Sequence, residues 1–178
     1  MLRFPLALLA AVPFLASCSR SDSSGLAGYN PPSPDGWQKD EPGANNDDGH
    51  SVTFRKKVGH TKIRMKFSVI ALVEGEKPDD LAALKEFSGR GLADAHKMSP
   101  GLKVLEQSET TFRTFPALLT STHDNYRGAD RERKVLRVAD GKNTFMLDQT
   151  LTGKPVDAAA RTEADAAWKK ISSGLQLP

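Results

Sequence analysis

The chain of 178 residues contains one cysteine, Cys18, so it cannot form a disulfide within itself and its core must hold the fold unaided. With no cysteine pair, and with His50, His60, His96 and His123 at no helical metal-binding spacing, it offers no zinc-site pattern. There is no G-x-S-x-G elbow and no phosphate-binding loop. Gly89-Arg90-Gly91 opens like a dinucleotide fingerprint, but Asp94 stands where the third glycine belongs, and the run falls in a helical pattern rather than after a strand. Asn46, Asp48 and Gly49 match only the middle of a calcium loop, with Ala44 and Arg55 at its two ends. The formal net charge of +3, one unit of it from Arg3, is too small to argue for nucleic acid. These absences predict a protein that is not an enzyme and uses neither a cofactor nor a metal. His123-Asp124 is the one pair on a strand end that would join a catalytic cluster if distant residues converged on it.

One apolar run is present. Met1-Leu2-Arg3 is a small basic start, Phe4 to Leu15 is apolar, and Ala16 and Ser17 are small. This is the layout of a secretory signal peptide, too short for a permanent bilayer-spanning helix. Leu15-Ala16-Ser17-Cys18 resembles a bacterial lipobox. The resemblance implies cleavage before Cys18, lipidation of its thiol and acylation of the new amine. It also gives the unpaired thiol a purpose. More than one acyl chain makes a stable anchor where one binds only reversibly. Ser19 in place of aspartate implies the outer membrane, facing the periplasm, rather than the inner membrane.

Three segments follow from this reading: a signal peptide over 1–17, a lipidated cysteine and flexible tether over 18–35, and a globular domain over 36–178. Residues 19–35 are rich in Ser, Gly, Pro and Asn, with Pro31-Pro32-Ser33-Pro34 near the end, and predict an extended spacer. In the domain, Ser51 to Lys57 reads as a strand. Thr61 to Glu74 is the clearest strand, with Ile63, Met65, Phe67 and Val69 alternating with Lys62, Arg64, Lys66 and Ser68. A helix opens at Pro78-Asp79-Asp80 and ends at Ser99-Pro100-Gly101, and Gly89 and Gly91 predict that it is short or bent. Strands over 102–113 and 115–126 form a hairpin about Arg113-Thr114. Strands over 131–139 and 143–151 follow. Asp157 caps a last helix with the stripe Ala160, Ala164, Ala167, Trp168, Ile171 and Leu175, stopped by Gly174. The fold class is α+β: an antiparallel sheet of about six strands whose inner face needs a helix to cover it.

Gly36-Trp37, Phe112 with Pro116-Ala117, Tyr126-Arg127-Gly128, Asp140-Gly141 with Phe145 and Leu147, and the closing Trp168–Leu175 run resemble the PsbP/DcrB-like family. Arg113-Thr114 replaces a corner where members often carry glycine, and Gly174 is inserted in the final helix. The resemblance implies an α/β/α sandwich and an accessory or binding role, and fold kinship fixes nothing finer.

Lys62, Arg64 and Lys66 share one side of a strand, and Arg131, Arg133 and Arg137 share one side of another. On one sheet face they would form a basic patch for an acidic partner, anionic lipid head groups or cell-wall polymer. The plainer alternative is a solvated face neutralised by Glu106, Glu109 and Glu132. The leading expectation is a non-enzymatic, lipid-anchored periplasmic protein that binds an envelope protein, with immunity against a secreted toxin as a specific version. An envelope hydrolase and a small-ligand or lipid carrier are the rivals. Replacing Cys18 with alanine is expected to move the protein from the membrane fraction to the soluble one, and mass spectrometry of the native product should find an acylated amino-terminal cysteine. An unmodified sulfur would contradict the anchor.

Overall fold

A computed structural model of the chain describes residues 26, 28–40, 51–70, 80–141 and 143–178. The expected leader, Cys18, the start of the tether, the Asn46, Asp48 and Gly49 positions and Pro78-Asp79 lie outside the described residues. The described residues form β1 (Gln38–Lys39), β2 (Ser51–Val58), β3 (Thr61–Val69), α1 (Leu81–Met98), β4 (Lys103–Phe112), β5 (Phe115–Tyr126), β6 (Ala129–Ala139), β7 (Thr144–Gly153) and α2 (Ala158–Gly174). All strands join one sheet in the order β1-β2-β3-β7-β6-β5-β4, and every neighbouring pair is antiparallel.

Short turns explain most of this order. Arg127 and Gly128 link β5 to β6 with φ of +54° and +74°. Two successive positive φ values make a turn whose twist matches that of the flanking strands. Chain segments linked in this way lie side by side, so β4 to β7 form a meander that brings β7 back against β3. The link from β3 to β4 instead crosses the sheet, and α1 lies within it.

Strand alternation then sorts the two faces. Ile63, Met65 and Phe67 of β3 and Phe145, Leu147 and Leu151 of β7 are each no more than 3% exposed. They lie beneath α2, whose Ala160, Ala164, Ala167 and Ile171 are buried. Three alanines in that stripe let the helix sit close to the sheet. Around Phe145 the rings of Tyr29, Phe112 and Phe67 stand at 5.3, 5.5 and 5.6 Å, the spacing at which tilted aromatic pairs attract. The other face carries α1, which buries only Leu84 and Ser88; Leu84 packs with Leu118 and Ala139. One helix on each face makes the α/β/α sandwich expected from the sequence.

Several expectations are corrected. Among the described residues the sheet has seven strands rather than about six, because Gln38–Lys39 pairs with Arg55 and Phe54. Helix α1 is not short: it runs 18 residues through Gly89 and Gly91. Asp80 accepts from the Ala83 amide at 2.8 Å, and the Ser99 amide donates to the Ala95 carbonyl, so both ends are closed. The flexible tether does not extend to residue 35. Tyr29 is 2% exposed in the core, and Asn30 bridges to Gln176. A Cβ on Gly174 would lie 2.9 Å from Pro32, so this glycine admits the proline run against the helix end. Asp157 stands at the start of α2 but makes no cap bond. Its carboxylate accepts from the His60 amide and the Thr61 hydroxyl at 3.0 and 3.1 Å, tying the β2–β3 turn to the helix.

Phe145→Ala is expected to lower unfolding free energy by about 3–5 kcal/mol, as loss of a buried phenyl ring does. Gly89→Ala meets nothing within 4 Å and is expected to raise it by about 0.5–1 kcal/mol. Urea denaturation checks both, and a destabilised Gly89→Ala would contradict the helical packing.

Candidate functional site

Register places all six basic residues singled out in the sequence on one face, the face that carries α1. Strand β7 lies between β3 and β6, and its side chains line up with both. Lys62 is level with Thr152 and Arg131, and Arg64 with Thr150 and Arg133. Lys66 is level with Asp148 and Val135, and Ser68 with Met146 and Arg137. Strand β2 adds Arg55 opposite Arg64 and Lys57 opposite Lys62. Sequence reasoning missed Arg55, Lys57, Thr150 and Thr152, although the alternation within each strand already carried the signal.

The neutralising groups are not the glutamates expected. Glu132 lies on the opposite face, where Arg161 of α2 donates to it from Nε at 2.9 Å. Glu109 pairs with Lys85 of α1, and Glu106 accepts from Ser108. Two buried aspartates replace them. Asp124, 1% exposed, binds Arg131 through both oxygens, with Nε to Oδ1 at 2.8 Å. Asp148, 2% exposed, accepts from Arg133 Nε at 3.0 Å and lies 3.8 Å from Arg64. Burial alone would push the Asp124 carboxyl up. The bonds from Arg131 and Ser99 outweigh it and hold the group below the usual carboxylate range. The arginine forks suit this task because each delivers two charge-assisted bonds in fixed geometry.

The α1 helix divides this face. It lies over β5 and β6 and leaves β3 and β7 open beside it. A concave pocket of about 570 Å³ opens there, lined by Arg55, Lys57, Lys62, Arg64, Tyr126, Arg131, Thr150 and Thr152 among others. Tyr126 stacks beneath Arg131, whose guanidinium carbon is 4.3 Å from the ring centre. Among the described residues Lys57, Lys62 and Lys66 make no ion pair. Arg137 is different: it lies under α1 and is 8% exposed.

His123 and Asp124 do not form a site. Neighbours on a strand point to opposite faces. Asp124 meets Arg131, while His123 Nε2 lies 3.8 Å from Asp130. Among the described residues no group of histidine, cysteine and carboxylate side chains could hold a metal ion. No helix among them is long and apolar enough to cross a membrane.

No family model matches the chain, and no curated protein matches it. Solved structures do. The cyanobacterial PsbP (CyanoP) from Synechocystis sp. PCC 6803 is 14% identical, with a TM-score of 0.55 over 96% of this chain and 99% of its own. The fold is PsbP-like. LpqN, involved in cell envelope biogenesis of Mycobacterium tuberculosis, is 17% identical with a TM-score of 0.52 over 83% of this chain and 82% of its own. A Pseudomonas aeruginosa protein of unknown function, PA94, is 19% identical with a TM-score of 0.54 over 82% and 88%. At these identities the likeness concerns the fold alone.

The Asp124–Arg131 pair has a definite pH signature. A carboxyl held below its unfolded pKa contributes stability that is fully present above the unfolded value, about 3.9, and is lost as pH falls through the folded value. Asp124→Asn is expected to cost about 3 kcal/mol at neutral pH, because it leaves Arg131 uncompensated. It should also flatten the stability curve below about pH 4. Urea melts across that range check both, and an unchanged acid limb would contradict the assignment.

Proposed function

We propose that this protein is non-enzymatic, is anchored through a lipidated Cys18 on the periplasmic face of the outer membrane, and binds an acidic envelope protein through the open half of its basic sheet face. The observation that carries the reading is the charge balance there. Asp124 and Asp148 neutralise Arg131 and Arg133, yet Lys57, Lys62 and Lys66 stand beside them with no counter-charge among the described residues. The sheet fixes their spacing, so a partner's carboxylates meet a preformed array and little ordering entropy is lost on binding. Arg55 and Arg64 add partly exposed guanidiniums to the same surface.

Two further points support the reading. LpqN, which shares the fold, is described as acting in envelope biogenesis. A lipid anchor would confine the domain to a thin layer and raise its effective concentration near membrane-bound partners. A rigid basic surface of this kind also suits the immunity version, in which it would cover an acidic active site of a toxin. The carrier reading has less support, since Phe67 and Phe145, each 1% exposed, fill the space between sheet and α2.

Co-purification from detergent-solubilised membranes tests the proposal. The full chain is expected to bring down a stoichiometric acidic protein at low salt and release it as salt rises. The double change Lys62→Glu, Lys66→Glu should weaken that complex roughly tenfold or more while leaving the fold intact by circular dichroism. Recovery of the protein alone, or an unaffected complex in the double variant, would overturn the proposal. Binding of the same face to anionic vesicles without any protein would replace it with a lipid-surface reading.

A further inference from the structure

The covered half of the basic face poses a separate problem. Arg137 lies between β6 and α1 and is 8% exposed. Among the described residues its Nε and Nη1 have no hydrogen-bond partner, and neither does the Oγ1 of neighbouring Thr120, itself 2% exposed. A guanidinium cannot escape this by losing its proton near neutral pH. Burial, followed by the nearby charge of Arg133, pushes its pKa down only to about 10.

The local aspartates do not solve the problem. Asp124 is taken by Arg131, and Asp148 is taken by Arg133 and approached by Arg64. Asp148 is near enough to favour the charge of Arg137 but forms no ion pair with it. Helix α1 supplies no acid there: its two acidic residues, Glu86 and Asp94, are both exposed, and Asp94 is bound to Lys97. Among the described residues one positive charge is therefore left over in a buried place, and an unpaired buried charge is among the costliest features a fold can carry.

A small enclosed space adjoins these groups. It measures about 40 Å³ and is lined on the sheet side by Thr120, Thr122, Arg137 and the aspartate-bound Arg131 and Arg133, and on the helix side by Leu92 and Ala95 among others. A single water needs about 10–15 Å³ of such space, so the cavity has room for a small ion but not for a bulky organic ligand. Gly91 also lines it, and a Cβ there would meet nothing within 4 Å, so the helix leaves room over the sheet. Threonine hydroxyls can rotate to donate, which suits an anion.

We propose that this space is a binding site for one small monovalent inorganic anion, with the guanidinium of Arg137 as its principal ligand and Thr120 completing the donor set. The ion supplies the missing counter-charge and fastens α1 to a sheet on which the helix otherwise buries little. This inference does not depend on the partner proposed above, because that partner would meet the uncovered half of the face.

The test uses the full chain exchanged into sodium gluconate, whose anion is too large to enter. Titration with chloride, bromide or nitrate at constant ionic strength should raise the melting temperature saturably, by about 5 °C or more. Arg137→Met, which removes the charge and keeps the bulk, should show no such rise. Crystals grown in bromide should give an anomalous peak within contact of Arg137, a readout that needs no variant to fold. Equal melting temperatures in chloride and gluconate would overturn the proposal. So would a bromide map showing only water at Arg137, or the same halide response in Arg137→Met.

Discussion

The pairing of β3 and β6 with the same central strand, β7, is the constraint on which the rest depends. Antiparallel register with a period of two allows each side chain one of two faces, and β7 sets the same choice for both neighbours. The apolar set of β3 goes beneath α2, so Lys62, Arg64 and Lys66 must go to the other side. Arg131, Arg133 and Arg137 of β6 join them there for the same reason. A basic face is thus the counterpart of the core rather than an addition to it.

A face so rich in cations would repel itself without correction. Asp124 and Asp148 supply that correction from inside the sheet, each buried and each bound by an arginine fork. Their placement decides which cations remain available. Arg131 and Arg133 are held, while Lys57, Lys62 and Lys66 make no ion pair among the described residues. Helix α1 makes the second division by covering β5 and β6 and leaving β3 and β7 open. The result is one sheet face in two halves: an open half that presents cations to solvent, and a covered half that buries Arg137.

Much of this was legible in the sequence, for reasons that can be named. The alternation Ile63, Met65, Phe67 gave β3 and its faces, and the stripe Ala160, Ala164, Ala167, Ile171 gave α2. Strand β1 was hidden because two exposed residues, Gln38 and Lys39, carry no period. Tyr29 was hidden because it sits among Ser, Gly and Pro, and only its partners Phe67 and Phe145, far along the chain, show that it belongs to the core. Gly174 ends α2 as its place in the sequence suggests, but the close approach of Pro32 to it leaves no local mark. The error over Glu132 was avoidable, since it stands between Arg131 and Arg133 on one strand and must face away from both. The importance of Asp124 and Asp148 could emerge only once strand partners were known.

The most direct test of the open basic face is site-specific crosslinking in intact cells. A photoreactive residue at Thr152, which lines the open pocket, is compared with one at Lys169 on the exposed side of α2. The account predicts a discrete adduct with one envelope protein from Thr152 and none from Lys169. An adduct formed from Lys169 alone would contradict it.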